Sequence, residues 1–116
     1  MKTALIIGAS RGIGLELVRQ LLAEHWTVHA TARTDDALTT LKTMGAQPHK
    51  LDVTHAESIA ALGPQVASVP LDLVVYVAGV VSEYSGANVA PTAAEFDRVM
   101  HANVMGAMQC IPLLAP

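Results

Sequence analysis

Three glycines spaced G-x-x-x-G-x-G, at Gly8, Gly12 and Gly14, stand where a short aliphatic run gives way to a helical pattern. The run Ala4-Leu5-Ile6-Ile7 reads as a buried strand, too short and too aliphatic for a helix. Beyond Gly14, Leu17, Val18, Leu21 and Leu22 recur at helical spacing, with Glu16, Arg19, Gln20 and Glu24 between them. Such a junction presents free backbone N–H groups and the positive end of a helix dipole, which suits a diphosphate. Gly8 permits the sharp turn. Gly12 and Gly14 remove side chains that would hold the backbone away from a phosphate or from the sheet, and Ser10, Arg11 and Ile13 complete the turn. No glycine here precedes a lysine, which excludes a P-loop, and Leu17 stands where the last glycine of G-x-G-x-x-G would be.

A second chemical signal follows the next apolar run. A domain that binds NAD carries Asp or Glu at the end of its second strand, hydrogen-bonded to the ribose 2′-hydroxyl. Here Ala32 holds that place and Arg33 follows it. A guanidinium keeps its charge and suits bidentate phosphate contacts, so Arg33 favours a 2′-phosphate, with Arg11 able to reach the same group. The five histidines (His25, His29, His49, His55 and His101) show no metal-ligand spacing and read as structural or solvated.

The elements that must position these residues alternate along the chain. Val28 to Ala32 reads as a second strand, and Asp35 or Asp36 as the cap of a helix that Gly45 ends. A short third strand runs from His49 to Val53. Ala56 to Leu62 is a helix stopped by Gly63-Pro64, and Leu71 to Val77 a fourth strand, apolar enough to be central. Ser82 to Pro91 is a polar loop. From Thr92 an amphipathic helix carries Phe96, Val99, Met100, Asn103, Val104, Ala107 and Met108 towards Ile111, where Pro112 discourages continuation. This β-α-β-α-β-α-β-α order predicts an α/β fold, a Rossmann-type doubly wound parallel sheet with strand order 3-2-1-4. The chain then holds the N-terminal half of such a sheet plus one further helix, as one dinucleotide-binding domain over 1–116, truncated at its C-terminal side.

With 116 residues, 52% hydrophobic and 15% charged, the chain fits a compact core and not a disordered segment. A net charge of −3 without a basic cluster argues against nucleic acid. Cys110, the single cysteine, excludes an intrachain disulfide and fits a reducing compartment; it reads as core or interface packing. The apolar run after Lys2 falls short of the roughly 7–15 residues of a signal sequence, and no stretch is long enough to span a membrane. A cytoplasmic protein is the expectation.

With its flanks, the glycine turn resembles the opening T-G-x-x-x-G-I-G of the short-chain dehydrogenase/reductase family, although Ile7 stands in the place of the threonine. The resemblance runs through Asp52-Val53, Ala78-Gly79 and the segment Asn103-Val104-Met105-Gly106, in the family's order. Within the family the chain is most similar to reductases related to bacterial C-factor and to sniffer-type carbonyl reductases. It implies that Asp52 and Val53 contact the adenine, that Ala78 and Gly79 let a ribose approach the backbone, and that Asn103 helps hold a water of a proton relay. Read without it, Asp52 could equally cap the next helix and Asp72 is a surface turn residue. Tyr76 and Val77 depart from the family's Asn-Asn, so the bracing role of those asparagines does not carry over. The resemblance implies NADP(H) as cofactor, a carbonyl or alcohol as small-molecule substrate, and hydride transfer between the two.

The family's serine and Tyr-x-x-x-Lys pair are absent from these residues. The last lysine is Lys50, Tyr76 is followed four positions on by Val80, and Tyr84 by Asn88. Tyr84 and His101 are the remaining candidates for an acid. The polypeptide alone is therefore expected to be inactive. It is also expected to self-associate as a homo-oligomer, since the fourth strand would keep an open edge. A non-catalytic NADP(H)-binding module or redox-responsive regulator is the alternative. A methyltransferase would place an acid where Ala32-Arg33 stands.

Overall fold

The structure, a computed structural model, describes residues 1–79, 90 and 92–114. β1 (Thr3–Ile7) leads to α1 (Gly12–Ala23), β2 (Thr27–Ala32), α2 (Asp35–Met44), β3 (Gln47–Lys50), α3 (Ala56–Val66) and β4 (Leu73–Tyr76). After them come α4 (Ala93–Met100), a π-helical segment (His101–Met105) and α5 (Gly106–Leu114). Every strand pairing is parallel, and the order is β3-β2-β1-β4. This is the Rossmann-type sheet that the alternation of strand and helix patterns predicts.

β1 is aliphatic from Ala4 to Ile7 because helices cover both of its faces. Ala4 and Ile6 pack with Val28, Ala30 and Ala32 of β2, Val18 of α1 and Leu41 of α2. Leu5 and Ile7 point the other way, onto Ile59, Leu62 and Val66 of α3 and onto Ala102 and Cys110. Each fully buried aliphatic side chain contributes roughly 1.5–3 kcal/mol, so the two clusters fix both layers against the sheet. Its carboxyl end is thereby held rigid, and the cleft lies there.

Several boundaries differ from the sequence reading. The cap of α2 is Thr34, whose hydroxyl accepts from the Ala37 amide at 3.3 Å; Asp35 and Asp36 occupy the first turn, where their charge faces the positive helix end. β3 begins two residues earlier than predicted and ends at Lys50, with Pro48 opposite Ala30. An edge strand tolerates that proline because its missing N–H faces away from the ladder. α3 runs through Gly63 and Pro64 to Val66. Pro64 weakens the turn before it, but Ile59, Leu62 and Val66 are 2–3% exposed, and their burial holds the last turn in place. α5 likewise passes Pro112, with Leu114 packed on the second cluster.

β4 is shorter than the predicted Leu71–Val77. Asp72 instead clasps the start of β1: its carboxylate accepts from the Thr3 amide and its own amide donates to the Thr3 carbonyl, both at 2.8 Å. Among the described residues β4 is an edge strand, with Leu73 and Val74 part-exposed, and Phe96, Met100, Val104, Met108 and Ile111 are exposed as well. Most of the predicted Ser82–Pro91 loop, with Tyr84, lies outside the described residues.

Candidate functional site

A cleft of about 630 Å³ opens at the carboxyl end of the sheet. Gly8, Ser10, Arg11, Gly12, Ile13, Arg33, Asp52, Val53, Ala78 and Gly79 all line it. Of the residues singled out from the sequence as site residues, Gly14 and Asn103 do not line this cleft. The turn leaves β1 at Gly8, whose φ of 93° lies in the left-handed region. Its amide donates to the Thr31 hydroxyl at 3.0 Å, and the Ala9 amide donates to the Thr31 carbonyl at 2.9 Å. Thr31 therefore sets the turn, although a threonine inside a strand pattern carries no sequence signal of that role.

Gly12 opens α1 with φ 59°, and a Cβ built on it would meet nothing within 4 Å. Arg11 caps the helix in extended conformation without a side-chain hydrogen bond, and the first turn carries no acid. The amides there are available to an anion, and the helix dipole and the arginine both favour one. Gly14 differs. A Cβ on Gly14 would collide with the Gly8 carbonyl oxygen and stand 3.1 Å from Ala9 Cα. It does not line the cleft; its missing side chain lets α1 pack on the end of β1.

Arg33 follows β2 at the rim, with Ala32 buried behind it. Asp52 faces the same space. Its carboxylate accepts from the Thr54 amide at 2.9 Å and from the Thr54 hydroxyl, and lies 3.1 Å from His55 Nδ1. Burial works to raise this carboxyl, but the Thr54 hydrogen bonds and the charges of His55 and Arg33 outweigh it and hold it below its ordinary value. Asp52 thus shapes the turn before α3 while leaving His55 as the helix cap, without a side-chain hydrogen bond.

Asn103 lies in the π-helical segment and outside the cleft lining, with its Oδ1 2.8 Å from where a Cβ on Gly79 would be. Only a glycine at 79 admits it so closely. His101 opens that segment and is exposed. Arg98, which the sequence reading passed over, and Tyr76, to which it gave no role, also reach this region. Arg98 lines the cleft and pairs with Glu95 at 2.7 Å, an i,i+3 spacing visible in the sequence. The Tyr76 hydroxyl donates to the Ala102 carbonyl at 2.7 Å.

Away from the cleft, His29 Nδ1 and His49 Nε2 stand 2.9 Å apart, and His49 Nδ1 is 2.8 Å from Gln65 Oε1. No cluster of three metal-ligating side chains occurs among the described residues. Burial, and then the neighbouring His49, hold His29 below its ordinary 6.5. The unfolded chain therefore takes up this proton first as the pH falls through 6.5, so His29 stabilises the fold fully above that pH and progressively less below it. The melting temperature is expected to fall from pH 7.5 to pH 5.5, and by less in His29→Gln. Equal falls in the two proteins would overturn the assignment.

Residues 2–116 match the profile of the short chain dehydrogenase family. Ketoacyl reductase HetN of Nostoc sp. strain PCC 7120 is 30% identical over 123 residues, covering 99% of this chain and 42% of that protein. A short-chain dehydrogenase from Streptomyces avermitilis superposes with a TM-score of 0.88 at 30% identity, over 99% of this chain and 43% of the other. The Pseudomonas aeruginosa RhlG/NADP active-site complex gives a TM-score of 0.83 at 30% identity, over 99% and 47%. The chain thus spans less than half the length of each of these proteins. No helix among the described residues is long and apolar enough to cross a membrane.

Proposed function

The chain belongs to the short-chain dehydrogenase family, and from that premise we propose that its cleft holds NADP(H) for an oxidoreductase acting on a carbonyl or alcohol. The observation that carries this reading is the open left-handed glycine at the start of α1, with Arg11 and Arg33 lining the same cleft and Ala32 in the place where an NAD site would put an acid. NADP(H) supplies the hydride chemistry when bound. The chain's own residues bind and orient it. The α1 amides and Gly12 take the diphosphate, and Arg33 and Arg11 pair with the 2′-phosphate. Asp52 and Val53 form the adenine wall, and the small Ala78 and Gly79 leave room for a ribose. Ser10 and Ile13 line the turn beside the diphosphate. The RhlG complex with NADP agrees with this choice of cofactor.

The same reading fixes what these residues alone can do. Tyr76 is the one tyrosine among the described residues, and its hydroxyl is committed to the Ala102 carbonyl. Burial, with a smaller contribution from Cys110, pushes it up to about 12, far from the neutral range that suits an acid. With no Tyr-x-x-x-Lys pair in its sequence either, a polypeptide of residues 1–116 is expected to oxidise no NADPH with a panel of aldehydes and ketones. Its exposed β4 edge and α4–α5 apolar residues are expected to drive self-association, read from solution mass. Turnover by a purified monomer would overturn both expectations.

A further inference from the structure

The Gly106 amide bonds to the His101 carbonyl, five residues back. An α-helix would give that amide to Ala102, four residues back. Ala102 is only 3% exposed, so water is a poor substitute for the lost partner. The Tyr76 hydroxyl supplies the bond instead, at 2.7 Å. Gly106 makes room for it, because a Cβ there would collide with that hydroxyl and stand 3.0 Å from Val53 Cβ. The residue after Ala102 is Asn103, which rests against Gly79 at the cleft.

We propose that the Tyr76 hydroxyl is a positioning group: by satisfying the Ala102 carbonyl it holds the π-turn, and the turn sets Asn103 against Gly79. A π-turn adds one residue to a helical turn, and each residue rotates a helix by about 100°. Reversion to an α-helix would therefore carry Asn103 or α5 round by that angle, and the packing of Ala102 and Cys110 holds the far side in place. Burial keeps the Tyr76 hydroxyl protonated, and so a donor, throughout the neutral range. π-turns inside α-helices occur frequently at functional sites, and this one adjoins the proposed cofactor cleft.

The functional half of this inference rests on the oxidoreductase reading; the structural half does not. The test is Tyr76→Phe in the full-length protein, with Gly106→Ala as a second route to the same lesion. Crystal structures of both are expected to show the Gly106 amide bonded to Ala102 and Asn103 displaced from Gly79. With NADPH and ethyl acetoacetate as the probe, kcat is expected to fall roughly 100-fold or more, since misplacement of a group by only about 1 Å already costs about that much. NADPH affinity and the KM for the probe should stay near the parent values. A π-turn intact in both variants would overturn the proposal whatever the activity. A lost turn with unchanged kcat would overturn the positioning role. If the parent turned over no carbonyl compound, the oxidoreductase reading would fail, and the turn in the two variants would still decide what Tyr76 does.

Discussion

Arg33→Ala is expected to weaken NADPH binding by roughly 1.5–3 kcal/mol, about 10- to 150-fold, the range for a hydrogen bond to a charged group. NADH binding should change little. Arg33 follows β2 and lines the cleft together with Asp52. The 2′-phosphate is the one part of NADPH that NADH lacks, so only a residue that meets it separates the two cofactors. Arg11 caps α1 and lines the same cleft, and the double variant is expected to lose further discrimination. On the proposed reading the two arginines share one phosphate, so their effects should not simply add. Titration of both cofactors against the full-length protein and its variants measures this. Equal affinities for NADPH and NADH, or parallel losses of both, would remove Arg33 from the 2′-phosphate.

Gly14→Val is expected to destabilise the fold by about 3 kcal/mol or more, the upper end for overpacking, because backbone cannot move aside as a side chain can. The added atoms would press on the Gly8 carbonyl and stand 3.0 Å from its carbon, where α1 meets β1. That is a large share of the roughly 5–15 kcal/mol a small domain has. Gly12→Val should behave in the opposite way. Nothing lies within 4 Å of its added Cβ, so its stability cost is the left-handed strain of roughly 1–2 kcal/mol, while the side chain fills the space assigned to the diphosphate. Urea midpoints and NADPH titrations separate the two glycines. Valine at 14 should move the midpoint most, and valine at 12 should abolish binding in a protein that stays folded. A Gly14→Val protein of unchanged stability that failed to bind would place the phosphate at Gly14 and overturn this division.

The sequence by itself determined the topology and most of the cleft. Aliphatic runs alternating with helical periodicity leave few arrangements other than a parallel sheet with right-handed crossovers, and such sheets place ligands at the carboxyl ends of their strands. Gly8, Arg11, Gly12, Arg33, Asp52 and Gly79 were therefore legible as neighbours although 71 positions separate the first from the last. What the tertiary structure decided were matters of close approach and competition. Gly14 and Gly12 look alike in sequence, and only the packing of α1 on β1 shows that one faces backbone and the other open space. Pro64 and Pro112 read as stops, yet burial of the side chains beyond them carries both helices through. Thr31 and Tyr76 gave no signal, because each acts through a hydroxyl on a backbone group 23 or 26 residues away. A pattern with a period of two or 3.6 residues records which face of an element is buried. It does not record which backbone amide or carbonyl has lost its regular partner, and that is where Tyr76 and Thr31 are used.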